Sequence, residues 1–289
     1  PIAIVSGMSR AARAGVMIKT GAGLEKLAAA QTMAFDKTGT LTHGTPKVSQ
    51  VNTYGTFSEE DVLSLAAAVE RNSNHILARA VTDYADNKKV KVLKAKNSKE
   101  TSGGGLTATV QGKILHVGTG RYLKEFGVKI PAEAMNGTHA FVAVGDTLAG
   151  YVEFVDQIRP ESKKVLSILK KLGIEHTLMV TGDNKKVAAT VAKQLGIEKV
   201  VAEALPGDKL QTIEKLEHRP VVFIGDGVND APVLTAADVG IALGARGSTA
   251  ASETADVVIL RDNLSSVSEA VAIAKRTVAI ARQSVLAGI

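Results

Sequence analysis

The stretch TMAFDKTGTLT, residues 32–42, runs a short apolar segment straight into an aspartate, Asp36, with Lys, Thr and Gly behind it. A brief apolar run closed by turn-forming residues predicts a short, fully buried strand. Asp36 then has two readings. It is a turn former that stops the strand, or a carboxylate held at a strand end to attack an electrophile. The stretch leaves both open, and the rest of the chain has to decide between them.

The chain has 289 residues, of which 45% are apolar and 22% charged, enough to build a core in one large domain or two ordinary ones. Aromatic residues make up only 3%, with no Trp, which argues against base-stacking nucleic-acid platforms. The absence of cysteine excludes disulfides and thiolate metal sites, and the six histidines show no metal-ligand spacing. The net charge of +6 is spread out except at KKVKVLKAKNSK, residues 88–99. That run reads as a half-buried strand with a solvated Lys face, and secondarily as an attractor for a polyanion. No run of 18 apolar residues exists, yet the chain opens on PIAIVSGMS and closes on SVLAGI without an initiator Met or a signal-peptide layout. It reads as a piece of something longer.

Residues 6–29 read as helical, and THGTPKV (42–48) as a turn-rich joint. Two helices follow, SEEDVLSLAAAVERN and HILARAVTDYADN, the first opened by a Ser58/Asp61 capping box. Strands are expected around SGGGLTATVQGKILHVG, then a short helix near 120–126 and a hairpin at AFVAVGDTLAGYVEFV. From Asp156 onward the pattern is strict β/α alternation, with strands HTLMV, KVVAE, VVFIGD, VGIAL and VVIL between helices and a long helix from about 265. In DQIRPES, Pro160 reads as the first residue of a helix. This predicts an α/β fold: a doubly wound parallel sheet whose first strand is TMAFD, split by an inserted α+β module.

Open sheets of this kind collect their ligands at the carboxyl ends of the strands. Those ends carry Asp36-Lys37-Thr38-Gly39-Thr40, Thr181-Gly182-Asp183 and Asp226-Gly227-Val228-Asn229-Asp230, with Lys209 near the start of the helix at 206. A carboxylate nucleophile forms an acyl phosphate, and a second carboxylate, Asp226, beside it makes a hard oxygen site suited to Mg²⁺. Thr181, backbone N–H groups and the Lys209 ammonium can hold the oxygens of a transferring phosphoryl group. An acid two residues after a nucleophilic Asp could protonate leaving groups and help hydrolysis; Thr38 cannot, so an aspartyl phosphate here should form easily and decay slowly.

Together DKTGTLT, TGDN, the Asp208-Lys209 pair and GDGVNDAP resemble the P-type ATPases, membrane pumps of the haloacid-dehalogenase superfamily, and the likeness covers essentially the whole chain. The resemblance implies that Asp36 is the phosphorylated residue and that Lys209 and Thr181 act with it. It implies that Thr38, Gly182, Asp183 and Asn229 bind phosphate. Asp36, the Thr38 carbonyl, Asp226 and Asp230 would form the Mg²⁺ side. In the insert, VERNSNHILARAV, SGGGL and HVGTG resemble the adenine-cradling segments of the heavy-metal (type IB) pumps, with Glu70, His75, Gly103, Gly105 and Gly118 matching. Ile76 stands where Pro is usual and Thr119 where Asn is usual.

The resemblance assigns residues 1–29 to a membrane-helix stub and stalk, 30–47 and 154–270 to a phosphorylation domain, 48–153 to a nucleotide-binding domain, and 271–289 to a stalk entering the next membrane helix. It implies ATP and Mg²⁺ as ligands, a heavy-metal cation carried by transmembrane helices outside this chain, an actuator domain of the same full-length protein as partner, and no nucleic acid. The parent would be a multi-pass cell-membrane protein with this portion facing the cytoplasm. SRAARAGVMIKTGAGLE leans toward Zn²⁺, Cd²⁺ or Co²⁺ over Cu⁺. The alternative is a soluble phosphatase of the same fold, against which Thr38 and the glycine-bearing insert both count.

Overall fold

The computed structural model describes the chain except residues 1, 102, 136, 227–229, 245–248 and 288–289. It divides into two compact units, Pro1–Gly44 with Ile158–Ile289, and Thr45–Gln157.

The first unit is built on a seven-stranded sheet in the order Val16–Ile18, Val257–Ile259, Val239–Leu243, Val221–Gly225, Thr32–Asp36, His176–Val180, Lys199–Val201. All neighbours pair in parallel except the first two strands, which are antiparallel. Thr32–Asp36 is buried along its whole length, as a central parallel strand covered on both faces must be. Alternation sorts its side chains: Met33 and Phe35 join a core with Leu24, Leu169 and Val271, while Ala34 joins Phe223, Ile213 and Leu234 on the other face.

The sequence reading needs correction in four places. Residues 6–29 are not one helix: Ile2–Arg13 and Gly21–Ala28 are separated by the strand Val16–Ile18, entered through Gly15 at φ +80°. The presumed joint at 42–48 is the start of a strand, Thr42–Thr53, at the edge of the second sheet, the position in a sheet that tolerates a proline such as Pro46. The Lys-rich run is strand only from Ala95 to Thr101; before it, Val90, Val92 and Leu93 pack on the core without regular pairing. Pro160 precedes its helix, which is capped at Glu161 and begins at Ser162.

The second unit is a six-stranded sheet in the order Thr42–Thr53, Thr147–Ile158, Thr138–Val144, Lys113–Gly118, Gly105–Val110, Ala95–Thr101. Helices Glu59–Glu70 and Ile76–Asn87 contribute Val62, Ala66, Val69 and Val81 to a core shared with Leu106, Leu115 and Val117. Ser58 and Asp61 form the expected reciprocal cap of the first helix. Tyr122 and Leu123, on the short helix Gly120–Lys124, belong to a separate cluster with Phe141 and Val128.

Where the chain returns to the first unit, one buried cation holds it to the turn after Asp36. Arg159, 3% exposed, donates to the carbonyls of Gly39 (2.9 Å) and Thr42 (3.1 Å) and pairs with Asp262 at 2.6 Å. The Arg159 N–H and the Ser162 hydroxyl both donate to the Leu41 carbonyl at 2.9 Å. Arg159→Met keeps the volume and strands two carbonyls, so it should destabilise the unit by about 2–3 kcal/mol, since each buried unpaired acceptor costs about 1–3 kcal/mol. Urea unfolding of wild type and variant measures this; a loss below about 0.5 kcal/mol would mean the turn is held by something else.

Candidate active site

The sheet register delivers the site. Asp36 is the Cα partner of Val180, so Thr181 follows directly beside it. Phe35 is the partner of Ile224, so Asp226 stands two residues beyond on the other flank. The turn Lys37–Leu41 then bends away through an extended Thr38 (φ −73°, ψ 129°) and a left-handed Gly39 (φ 74°). Gly39 has a second reason to be glycine: a Cβ there would lie 2.7 Å from Asp226 Oδ2.

Lys209 arrives from the helix Pro206–Glu214, whose start is pinned by the Asp208 carboxylate accepting from the Leu205 N–H at 3.0 Å. The preceding loop is tied to the Thr181-Gly182-Asp183 turn by Ala204 N–H to Thr181 O (3.0 Å) and Glu203 N–H to Asp183 O (2.8 Å). The ammonium therefore reaches Asp36 Oδ1 at 2.7 Å and Asp230 Oδ1 at 3.1 Å. Thr181, 2% exposed, accepts at Oγ1 from the Asp183 N–H (3.1 Å), which leaves its own proton free to donate outward. Gly182 is exposed at the tip of that turn and Thr38 at the tip of its own. Asn229 lies outside the described residues. An ion pair absent from the sequence reading, Lys37 with Asp183 at 2.6 Å, joins the two turns.

Asp36 and Asp230 share one ammonium, and the Asp226 charge acts on both of them. Burial, then Asp230, push the Asp36 carboxyl up to about 6 against the pull of Lys209, and Asp226 adds to the rise. Asp230 is raised by its burial despite Lys209. Burial alone would lower the Lys209 ammonium, but Asp36 and Asp230 outweigh it and hold it above its ordinary value.

In the second unit Glu70 ends its helix and His75 caps the next with an extended backbone (φ −66°, ψ 144°). They line a cavity of about 140 Å³ together with Glu100, Gly103, Thr119 and His139. An adjoining cavity of about 480 Å³ shares Gly103, Thr119 and His139 and adds Arg121. Gly105 and Gly118 are cross-strand partners in the cavity wall. A Cβ on Gly105 would strike the Val117 carbonyl and the Tyr122 ring, so these two glycines are needed by the sheet itself. Glu70 is 5% exposed, and burial followed by the nearby Glu100 pushes its carboxyl up to about 7. Glu100 and His139 carry no motif signal and were legible only once the strands were placed.

Carboxyl-carbon NMR without divalent cation should show Asp36 titrating near pH 6. Asp230→Asn should lower that midpoint by removing a like charge, and Lys209→Met should raise it; the opposite order of shifts would contradict the charge arrangement.

A family described as haloacid dehalogenase-like hydrolase matches residues 30–238. A zinc-transporting ATPase of Synechocystis sp. is 40% identical over 291 residues, covering 99% of this chain and 40% of that protein. Among solved structures, a zinc-transporting PIB-type ATPase in the E2.Pi state superposes with a TM-score of 0.84 at 36% identity, over 97% of this chain and 47% of that one. The catalytic domain of the CPx-ATPase CopB-B gives 0.77 at 31% identity, over 91% of this chain and 98% of that one. The chain thus spans about 40% of the length of the transporting ATPases it matches.

Proposed function

The chain belongs to the haloacid dehalogenase-like hydrolases and, among them, to the P-type ATPases, and from that premise we propose that it is the catalytic part of a heavy-metal export pump, in which Asp36 takes the γ-phosphoryl group of ATP. The observation that carries this reading is the buried Asp36 at the end of the central strand with the Lys209 ammonium 2.7 Å from its Oδ1.

A carboxylate oxygen of Asp36 attacks the γ-phosphorus; the new O–P bond forms as the bond to the bridging oxygen breaks, and ADP leaves with the electron pair. Lys209 and the outward proton of Thr181 are set to hold the phosphoryl oxygens, with Gly182, Asp183, Thr38 and Asn229 as their companions. The site fits Mg²⁺ by its donors: an excess of hard carboxylate oxygens at one strand end. Among the described residues no three His, Cys, Asp or Glu side chains form a closed metal cage, and Mg²⁺ keeps waters and substrate oxygens and takes only one or two carboxylates. Asp36, Asp226 and the Thr38 carbonyl would hold the ion, with Asp230 behind, and it would cancel the repulsion between nucleophile and phosphate.

The cavity of Glu70, His75 and Gly103 would take the adenine, and the adjoining one with Arg121 the ribose. Among the described residues no helix is long and apolar enough to cross a membrane. The cation path would be built by the remaining part of the pump, as would the actuator domain, with the catalytic part facing the cytoplasm. The first residues lean toward Zn²⁺, Cd²⁺ or Co²⁺ as cargo.

Incubation with γ-labelled Mg-ATP should leave an acid-stable, hydroxylamine-labile label on wild type and none on Asp36→Asn. Asp226→Ala should also lose the label while binding nucleotide as before. Label persisting on Asp36→Asn would remove Asp36 from the mechanism.

A further inference from the structure

Glu70 sits oddly for a charged group. It is 5% exposed, has no side-chain hydrogen-bond partner among the described residues, and faces a cavity whose other acidic side chain is Glu100. The remaining ionisable groups around that cavity are His75, capping the helix Ile76–Asn87, and His139, from the strand Thr138–Val144. The strand Gly105–Val110 contributes none, and Arg71, next in sequence, is taken by Asp86 at 2.8 Å. A carboxylate buried without a cation or donor is costly, so burial favours the neutral acid, and Glu100 reinforces this by like charge.

A neutral carboxylic acid carries one donor and one acceptor side by side, whereas a carboxylate only accepts. The Watson–Crick edge of adenine presents N6–H beside the N1 acceptor, the complement of the acid. Guanine presents N1–H and N2–H together, the complement of the carboxylate. Resting on the nucleotide reading above, we propose that Glu70 reads adenine as a neutral acid, that Glu100 is the positioning residue that keeps it so, and that this pair sets the preference for ATP over GTP. The site thereby gains a base specificity that weakens in alkali, because the ionised Glu70 offers the wrong pattern to adenine. Burial and Glu100 put that change near pH 7.

Calorimetric titration of the whole chain with non-hydrolysable ATP and GTP analogues tests this. For wild type, the ATP analogue should bind roughly tenfold more weakly at pH 8 than at pH 6, since affinity scales with the competent fraction. The GTP analogue should tighten over the same range. Glu70→Gln, whose amide keeps a donor beside an acceptor, should hold ATP-analogue affinity within about threefold of the wild-type value at pH 6 and abolish the pH slope. Glu100→Gln should move the wild-type midpoint to lower pH, which a purely structural role for Glu100 would not do. A slope that survives in Glu70→Gln would assign the titration to His75 or His139 and overturn the inference. Wild-type binding indifferent to pH and to base would overturn it too, with the nucleotide site intact. Failure of wild type to bind either analogue at pH 6 would overturn the nucleotide reading itself.

Discussion

The Lys209 ammonium, shared between Asp36 and Asp230, is the contact on which the active end of the sheet depends. A buried carboxylate at a strand end is unstable company for two others, and without a cation the three could not stand together. The cation at the first loop position after the central strand, Lys37, is taken by Asp183 at 2.6 Å. The shared cation comes from a helix, and the helix is positioned by backbone bonds from Glu203 and Ala204 to the turn after the next strand. The reach of Lys209 thus ties together three separate loops, and its pairing opposes the burial and the Asp230 charge that push the Asp36 carboxyl up to about 6.

The same logic of compensation recurs at Arg159. Its guanidinium meets carbonyls of the turn that follows Asp36, so the segment that leaves the first unit and the segment that returns to it are joined inside one unit. This local closure lets a chain interrupted at Gly44 and resumed at Ile158 complete a single sheet. Glu70 is the contrasting case. It is a buried acid given no cation at all, and its environment resolves the cost by keeping the proton instead of supplying a partner.

Much of this was legible in the sequence because the parallel strands are short apolar runs ending in polar turns. Those of TMAFD, HTLMV, VVFIG and VGIAL appear where periodicity put them. The three-residue strand Val16–Ile18 was not, since no local pattern distinguishes it inside an Ala-rich stretch; Gly15 was its one available signal. Thr42–Thr53 was hidden because Gly44 and Pro46 speak for a turn, and only an edge position makes them compatible with a strand. Asp36, Lys209 and Asp226 stand in recognisable motifs. Arg159, Glu100 and the Lys37–Asp183 pair do not, because each matters through a partner more than twenty residues away in the chain that only the register or the sheet order identifies.

The central strand is also the first of the parallel set to be made. Thr32–Asp36 leaves the ribosome long before its neighbours His176–Val180 and Val221–Gly225 exist. At roughly 5–20 residues per second it waits on the order of ten seconds for its first partner. The whole of Thr45–Gln157 is synthesised in that interval, and its sheet pairs strands drawn almost entirely from within it. Birth order therefore sets Thr45–Gln157 to fold first, while an apolar strand with both edges open waits until the chain comes back to enclose it.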